Sequence, residues 1–284
     1  MLAEVCARLG VAHDGAELLR FTANAVFRLR STPLVVRING SYALRHRAEK
    51  VIKVAHWLAA CELPSVRPLA DVEQPVRVGE YVATVWHAIT PAGDPPRPEG
   101  LARLLRRLHG LPLPDFALPA WAPLDDVRRR LTDAEDLAPD DREFLHRRGE
   151  DLARQLGELP FSHDERVVHG DAWLGNLIPT ESGPVLCDFD ATCVGPPVWD
   201  LVPFAFGVRR LGYPAADYRR FADEYGYDIT SWPGFEVLAA IRELKLITSV
   251  LPIARSNPSI RAELRRRLRS VREGDADAQW VPYR

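Results

Sequence analysis

The chain has 284 residues, of which 46% are hydrophobic and 27% are charged, which is enough to bury the core of one large domain or of two lobes. The formal net charge is only −2, so the charge balance indicates neither a nucleic-acid partner nor an anionic membrane surface. No apolar run approaches the ~20 residues that a membrane-spanning helix needs, and we expect a soluble, intracellular protein.

The cysteines and the first residues of the chain bear on its cellular compartment. None of the four cysteines belongs to a C-x-x-C pair or to a zinc-like arrangement with histidine: they are Cys6, Cys61, Cys187 and Cys193. Four cysteines are compatible with two disulfides, but a reduced, cytoplasmic chain is the simpler expectation. Glu4 and Arg8 lie among the first residues, so the N-terminus has no apolar signal core.

The N-terminal part alternates between helix and strand signals. Residues 1–20 show helical spacing, and residues 22–30 and 34–39, separated by Ser-Thr-Pro, predict a hairpin. A helix with one apolar stripe is predicted next, and short strands follow it up to residue 90. The stripe consists of Ala48, Val51, Ile52, Ala55 and Leu58.

A change in composition separates this part from the rest of the chain. Residues 90–100, "TPAGDPPRPEG", concentrate proline and glycine, which is typical of a linker. Helical spacing dominates after it, in segments near 100–109, 124–137, 140–157, 198–212, 214–225, 234–255 and 259–273. We therefore predict a strand-rich N-terminal domain, residues 1–89, and a mostly helical C-terminal domain, residues 90–284, with a ligand cleft between them.

The stretch "VVHGDAWLGNLI", residues 167–178, and the "DFD" that begins at Asp188 carry the chemistry. The intervening residues predict strand, turn and strand, so a hairpin brings Asn176 and Asp188 to neighbouring strand ends. An amide and a carboxylate oxygen there suit Mg²⁺, and Asp171 is left to accept a hydroxyl proton. Phosphoryl transfer requires this layout. Each motif alone is more simply a turn or a strand end; their joint spacing favours the site.

These motifs resemble those of the aminoglycoside phosphotransferase and choline-kinase-like family, which are small-molecule kinases. The family pattern is approximately H-G-D-x-x-x-x-N followed by an apolar strand that ends in D-[FW]-[DE]. The resemblance spans residues 20 to 210 and implies an α/β (α+β) class with a bilobal, protein-kinase-like fold. It further implies that Asp171 is the catalytic base and that Asn176 and Asp188 hold Mg²⁺.

The same resemblance assigns supporting roles near the catalytic loop. It implies that His169 and Asp200 brace the loop rather than react. Asp190 replaces the glycine of D-F-G, and it either assists the metal shell or is a loop carboxylate bonded to nearby N–H groups. The family often has His-Pro where this chain has Trp173 and Leu174, so the mouth of the site is expected to differ.

The strand at residues 34–39 is expected to face the nucleotide. Val35 and Arg37 share one face of it, so that Val35 covers the adenine and Arg37 points at the α/β-phosphates. Family members place a lysine here, and a guanidinium is larger and fork-shaped, so its geometry differs. We expect Glu49 of the following helix to pair with Arg37. In the alternative, Arg37 and Glu49 are both solvent-exposed.

The remaining nucleotide contacts are predicted from the loops. The Gly-rich loop of protein kinases is missing, which argues against an ordinary protein kinase. A short polar turn at residues 22–24, which ends at Asn24, covers the phosphates in its place. Residues 85–90, which include His87 and Ala88, are expected to form the hinge whose backbone meets the adenine edge.

The predicted function is transfer of the γ-phosphate of ATP, or of GTP, to a hydroxyl of a small molecule. Two acidic clusters, residues 133–141 and 217–228, suit a polycationic antibiotic such as an aminoglycoside, although such charge runs are more often solvated faces. A metabolic kinase for choline, an amino alcohol or a sugar shares every catalytic residue. Arg37 alone points to a third alternative, a non-catalytic nucleotide-binding scaffold. The sequence contains no indication of the oligomeric state.

Overall fold

The structure is a computed structural model, and it describes residues 1–21, 24–39, 47–134, 137–161, 164–254 and 257–283. These residues form two compact units. The first comprises Met1–Pro119 and Trp173–Cys193, and the second comprises Ala120–Ala172 and Val194–Arg284. The domain boundary predicted after residue 89 lies inside the first unit, and as a functional division it stays a prediction.

The first unit contains an antiparallel sheet in the order β1-β2-β3-β5-β4. Its strands are β1 (Glu17–Phe21), β2 (Asn24–Arg28), β3 (Leu34–Asn39), β4 (Val76–Val78) and β5 (Tyr81–His87). The predicted hairpin is confirmed, because β2 and β3 pair from Asn24 opposite Asn39 to Arg28 opposite Val35. This sheet makes β3 a central strand between β2 and β5.

The two faces of β3 differ as the alternation predicts. Leu34, Val36 and Ile38 are 7%, 0% and 0% exposed, and they belong to one apolar core with Val5 of helix α1 (Leu2–Leu9). Val35 and Arg37 lie on the other face and are only partly buried. Because side chains alternate along a strand, packing one face into the core leaves Arg37 on the open face.

Two further helices and a small hairpin complete the first unit. All five apolar positions predicted for helix α2 (Arg47–Ala60) are buried. Helix α3 (Pro98–His109) buries the leucines that follow its initial proline. Strands β7 (Leu177–Ile178) and β8 (Val185–Leu186) form the hairpin, and β8 is anchored by hydrogen bonds between Leu186 and the segment at Pro64 and Val66.

The second unit is mainly helical. Besides strand β6 (Arg166–Val168) and part of β9 (Cys193–Gly195), it contains helices α4 (Asp125–Asp133), α5 (Pro139–Gly157), α6 (Val202–Arg210), α7 (Ala215–Tyr225), α8 (Phe235–Thr248), α9 (Leu251–Ala254) and α10 (Pro258–Arg272). Helix α8 packs against α4, α5 and α6 and is buried on several sides. It therefore forms the core of this unit.

The single helix predicted at residues 234–255 is wrong, because α8 ends at Thr248 and α9 begins at Leu251. Pro252 explains the break: a proline in the helix interior lacks the N–H that would bond to Thr248 and its ring clashes with that carbonyl. The prediction followed the apolar spacing across the proline. Within the described residues, no helix is long and apolar enough to cross a membrane, and the four cysteines are free.

A substitution at Gly207 tests the packing of α6 against Tyr213, because a Cβ there would lie 2.2 Å from Cδ2 of Tyr213. We expect Gly207→Ala to lower the free energy of unfolding by about 1–3 kcal/mol, the usual cost of overpacking a core. Urea denaturation monitored by circular dichroism measures it.

Gly157, the last residue of α5, provides the matched control. A Cβ at this position meets no atom within 4 Å, so Gly157→Ala should leave stability unchanged or raise it by up to ~1 kcal/mol. Equal denaturation midpoints for the two variants would contradict the contact between Tyr213 and Gly207.

Candidate active site

The loop that follows β6 is held by a buried carboxylate. Asp200 is 0% exposed; its Oδ2 accepts the N–H of His169 at 2.6 Å and its Oδ1 accepts the N–H of Gly170 at 2.8 Å. The indole N–H of Trp199 donates to the carbonyl of Gly170 at 3.0 Å. These are the contacts expected of a residue that braces the loop. Gly170 has a φ of 83°, a left-handed conformation that favours glycine.

His169 supports the same turn from inside. Its side chain is fully buried, and its Nδ1 accepts the N–H of Asp171 at 3.4 Å. Because the imidazole is enclosed and engaged with the backbone, the arrangement suits a structural role, as the resemblance implied. The next side chain along the loop, that of Asp171, is 41% exposed.

Asp171 forms an ion pair with Arg242 of α8, with 2.6 Å between Oδ1 and Nη1. Partial burial raises the pKa of Asp171, but the charge and hydrogen bond of Arg242, with smaller contributions from His169 and Lys245, hold it below its usual range. Asp171 is therefore a carboxylate near neutral pH. An exposed, ionised carboxylate on a rigid loop can orient a hydroxyl and accept its proton.

Sequence reasoning missed the cations of α8. Arg242 is 8% exposed, and Lys245 lies over the Trp199 ring with Nζ 5.7 Å from the ring centroid. Burial and the charge of Arg242 lower the pKa of Lys245 to about 8. The signal was available in "AAIRELKLIT", because charges within an otherwise apolar helix are unusual. Their position beside Asp171 depends on how α8 packs.

The predicted metal ligands lie at the end of the β7–β8 hairpin. Leu177 pairs with Leu186, and the N–H of Cys187 donates to the carbonyl of Asn176 at 2.9 Å. Asn176 therefore lies opposite Cys187, one residue before Asp188, as the predicted hairpin requires. Asp188 has a φ of 67°, an uncommon conformation for a residue other than glycine.

The donors at this hairpin fit a hard cation. Asn176 and Asp188 offer oxygen, whereas burial, and then the charge of Asp188, raise the pKa of the Cys187 thiol to about 12. Without a bound metal, Cys187 is thus a neutral thiol at neutral pH, and sulfur is in any case a poor ligand for a hard cation. No cluster of three His, Cys, Asp or Glu side chains exists among the described residues. A metal here would need phosphate and water oxygens as well, which is usual for Mg²⁺.

Arg37 forms an ion pair with Asp190, and this corrects the expected partner of Arg37. Glu49 pairs with Arg77 of the edge strand β4 at 2.6 Å, where both side chains are more than half exposed. The reason is packing: a 3₁₀ turn, Phe189–Ala191, lies against α2 and carries the Asp190 carboxylate to Arg37. Of the two roles considered for Asp190, neither included this pair.

Lys50 of α2 holds the other side of the same turn. Its Nζ donates to the carbonyl of Asp190 at 2.6 Å and to the carbonyl of Thr192 at 2.9 Å. The sequence indicated only that Lys50 lies on a helix. Together, Arg37 and Lys50 place two cations around the segment that follows Asp188.

In the expected hinge, the backbone N–H groups of two residues are already hydrogen-bonded within the chain. The N–H of His87 donates to the carbonyl of Arg67 at 2.9 Å, and that of Ala88 donates to Pro33 at 2.8 Å. These two N–H groups are therefore occupied, and adenine recognition by the backbone of residues 85–90 stays a prediction. In the part of the chain that the structure describes, the next N–H, of Ile89, makes no hydrogen bond. Of the polar turn at residues 22–24, only Asn24 is described, at the start of β2.

The comparisons with known proteins agree with these motifs. A model of the phosphotransferase enzyme family matches residues 18–244. The chain belongs to this family, and the predicted enzyme class, a small-molecule kinase, is confirmed. A search of curated protein sequences finds no match.

Solved structures with the same fold include kinases for different acceptors. A choline kinase from Streptococcus pneumoniae matches with a TM-score of 0.69 at 15% identity, covering 96% of this chain and 98% of that one. An amicoumacin kinase in complex with AMP-PNP and Ca²⁺ matches with 0.67 at 13% identity, covering 95% and 91%. An aminoglycoside phosphotransferase from Streptomyces rimosus matches with 0.63 at 20% identity, covering 86% and 96%. The predicted fold class is confirmed.

The lowered pKa of Lys245, about 8, predicts a pH-dependent stability. Between pH ~8 and ~10 the unfolded chain binds more protons than the folded one, so the wild-type free energy of unfolding rises with pH in this window. Lys245→Met removes the buried charge. Its stability advantage over the wild type should be largest below pH 8 and shrink toward pH 10, as urea titrations at four pH values would measure.

Lys53→Met supplies the baseline for this comparison, because Lys53 is an exposed lysine of α2. The stability gained by Lys245→Met is measured relative to that baseline. If this gain grew from pH 8 to pH 10, Lys245 would not be a buried lysine with a lowered pKa.

Proposed function

We propose that this protein transfers the γ-phosphate of ATP to a hydroxyl group of a small molecule. The observation that carries the proposal is Asp171, an exposed carboxylate with a lowered pKa on a loop held by Asp200. Membership of the phosphotransferase family supports the reaction class. The four free cysteines are compatible with a reaction that uses cytoplasmic ATP.

In the proposed reaction, Asp171 orients the acceptor hydroxyl and takes its proton. A bond forms between the acceptor oxygen and the γ-phosphorus, while the bond from that phosphorus to the oxygen bridging the β-phosphate breaks and ADP leaves. Asp171 later releases the proton to solvent. Because such a transition state is loose, the protein contributes mainly by positioning and charge.

We propose that Asn176 and Asp188 hold Mg²⁺. Their oxygen donors at neighbouring hairpin ends support this assignment, and the bound ion would neutralise charge on the phosphates. The kinase solved with AMP-PNP and Ca²⁺ is a relative in fold whose complex combines a nucleotide with a divalent cation.

Arg37 is proposed to steady the α/β-phosphates, with Val35 of the same face against the adenine. The Arg37–Asp190 pair and the contacts of Lys50 hold the guanidinium on the open face of β3. Asn24 is proposed to cover the phosphates. The N–H groups of His87 and Ala88 are engaged within the chain. The adenine edge is therefore proposed to contact their carbonyls and the N–H of Ile89.

Two acceptor classes follow from the relatives. The fold is shared by kinases named for antibiotics and for choline, so both antibiotic inactivation and a metabolic reaction remain candidates. Two described carboxylates of the acidic segments thought to favour a polycation are engaged elsewhere: Asp141 pairs with Arg272 and Asp217 with Arg220. They lend no support to an aminoglycoside.

Asp171→Asn tests the catalytic base. We expect turnover to fall by roughly 100- to 10,000-fold, the usual contribution of a general base, while Mg-ATP still raises the melting temperature. Coupled ADP release with the best acceptor of a broad panel measures the rate. The control is Asp151→Asn, because Asp151 is an exposed residue of α5 that pairs with Arg154. Full activity of Asp171→Asn would rule out this role.

Asp188→Asn tests the metal site. Because the variant loses a charged oxygen ligand, we expect the Mg²⁺ concentration for half-maximal activity to rise by roughly tenfold or more. An Mg²⁺ titration of ADP release measures the change, with Glu49→Gln on the exposed side of α2 as the control. An unchanged Mg²⁺ requirement would remove Asp188 from the metal site.

A further inference from the structure

We propose that Arg242 and Lys245 bind an anionic group of the acceptor, so that the substrate is a hydroxylated small molecule carrying a carboxylate or a phosphate. This inference rests on the proposed function, since it specifies the acceptor of the same reaction. It replaces the polycation that the acidic sequence segments suggested.

Helix α8 contains three largely buried ionisable residues, and they are not equally paired. Glu243 accepts from Nε of Arg210 at 2.7 Å, so one buried carboxylate and one buried guanidinium satisfy each other. Arg242 and Lys245 are three positions apart and thus share a face of the helix. A buried charge without a counterion is costly, so Lys245, and the donors that Arg242 has left after pairing with Asp171, require an explanation that Glu243 does not.

Arg242 has hydrogen-bonding capacity left over. Its guanidinium carries five N–H donors in a fork that suits carboxylates and phosphates. In the described parts of the chain, its only ion pair is with Asp171, and its Nε is buried without a hydrogen-bond partner. A buried donor left unsatisfied is unfavourable, and an anionic ligand would satisfy it.

Lys245 adds a second cation at the same place. Its ammonium lies over the Trp199 ring, and within the described segments it has neither an ion pair nor a hydrogen bond. Its pKa, lowered to about 8 by burial and by Arg242, is consistent with a counterion that a ligand provides. Arg130 contributes more positive charge, because its Nη1 donates to the backbone carbonyl of Lys245 at 3.5 Å.

The nearby carboxylates that the structure describes are engaged with guanidinium groups. Asp126 pairs with Arg129 at 2.7 Å, and Asp171 is engaged with Arg242. Among the groups whose charges act on Lys245, the cations are Arg130 and Arg242 and the anions are Asp126 and Asp171. Two cations of one helix at the same place, Arg242 and Lys245, favour an anion and disfavour an ammonium-rich acceptor.

Tyr213 supplies a neutral donor beside the cations. Burial raises the pKa of its hydroxyl, and the charges of Arg242 and Asp171 act on it as well. The hydroxyl therefore stays protonated and can donate to an anionic oxygen. Its ring is fixed against Gly207 of α6.

The direct contact between Arg242 and Asp171 limits the size of the acceptor. A hydroxyl bonded to Asp171 and an anion bonded to Arg242 must belong to groups only a few bonds apart, as in a hydroxy acid or a phosphorylated polyol. When the anion takes over the Arg242 donors, Asp171 becomes available for the hydroxyl proton. The specificity of this kinase thus comes from helix α8.

The test compares acceptors with and without an anionic group, using the full chain with Mg-ATP. Glycerate, glycerol 3-phosphate and L-serine carry an anionic group, whereas glycerol, ethanolamine and kanamycin do not. We expect ADP release with at least one of the first three, with kcat/KM at least ~10-fold above every uncharged or cationic counterpart. Comparing glycerate and L-serine with glycerol 3-phosphate also shows whether the site binds a carboxylate or a phosphate.

Variants separate binding from turnover. Arg242→Met and Lys245→Met should each raise the KM for the anionic acceptor by at least ~10-fold, with little change in the KM for ATP. Arg242→Lys, which retains the charge but not the fork, should recover part of the loss. A merely structural role would lower stability and kcat without this selective rise in KM, and circular dichroism verifies that each variant is folded.

A binding measurement keeps the inference independent of turnover. Without nucleotide, the same three anions and inorganic phosphate should raise the melting temperature of the wild type but not of Arg242→Met. If anions bind in this way and no acceptor releases ADP, the proposed function fails and the anion site stands. If ADP is released only with neutral or cationic acceptors, or if anions neither bind nor react, the anion site is wrong.

Discussion

Burial of the Asp200 carboxylate is the constraint on which the catalytic loop depends. A fully buried charge is tolerated only when hydrogen bonds replace its water, and Asp200 obtains them from the N–H groups of His169 and Gly170. The same contacts leave that stretch of backbone little freedom. Asp171 is the next residue, so the backbone that carries its carboxylate is held in place. A reaction catalysed mainly by positioning requires such a fixed group.

The same cost of burying charge underlies the acceptor site that we propose on α8. Arg210 and Glu243 neutralise each other inside the second unit, which is how a protein core usually accommodates ions. Next to the loop, Arg242 pairs with Asp171 but leaves its buried Nε without a hydrogen-bond partner, and the Lys245 ammonium has no ion pair within the described residues. Natural proteins tolerate such local cost where function needs it. If α8 binds the acceptor as proposed, side chains on one helix can change the acceptor without altering the loop that carries Asp171.

Features set by nearby residues could be predicted from the sequence. The spacing from Asn176 to Asp188 defines a hairpin, and the alternation in β3 defines the face of Arg37; both were found as expected. Features set by distant packing could not. Asp190 reaches Arg37 across 153 positions, which removed Glu49 as its partner, and the position of Arg242 beside Asp171 depends on helix packing. The N–H of His87 donates to the carbonyl of Arg67, a contact that depends on how two separate segments pack together.

The thiol of Cys187, between the two proposed metal ligands in the hairpin, has a consequence for chemical durability. Alkylation and oxidation by peroxide proceed through the thiolate. With a pKa raised to about 12, this side chain is almost wholly protonated at neutral pH. Iodoacetamide and hydrogen peroxide should therefore react with it slowly, although it is only partly buried. In the absence of a bound metal, the hairpin end that carries the two proposed ligands is therefore protected by burial and electrostatics against damage that commonly inactivates enzymes with cysteines at their active sites.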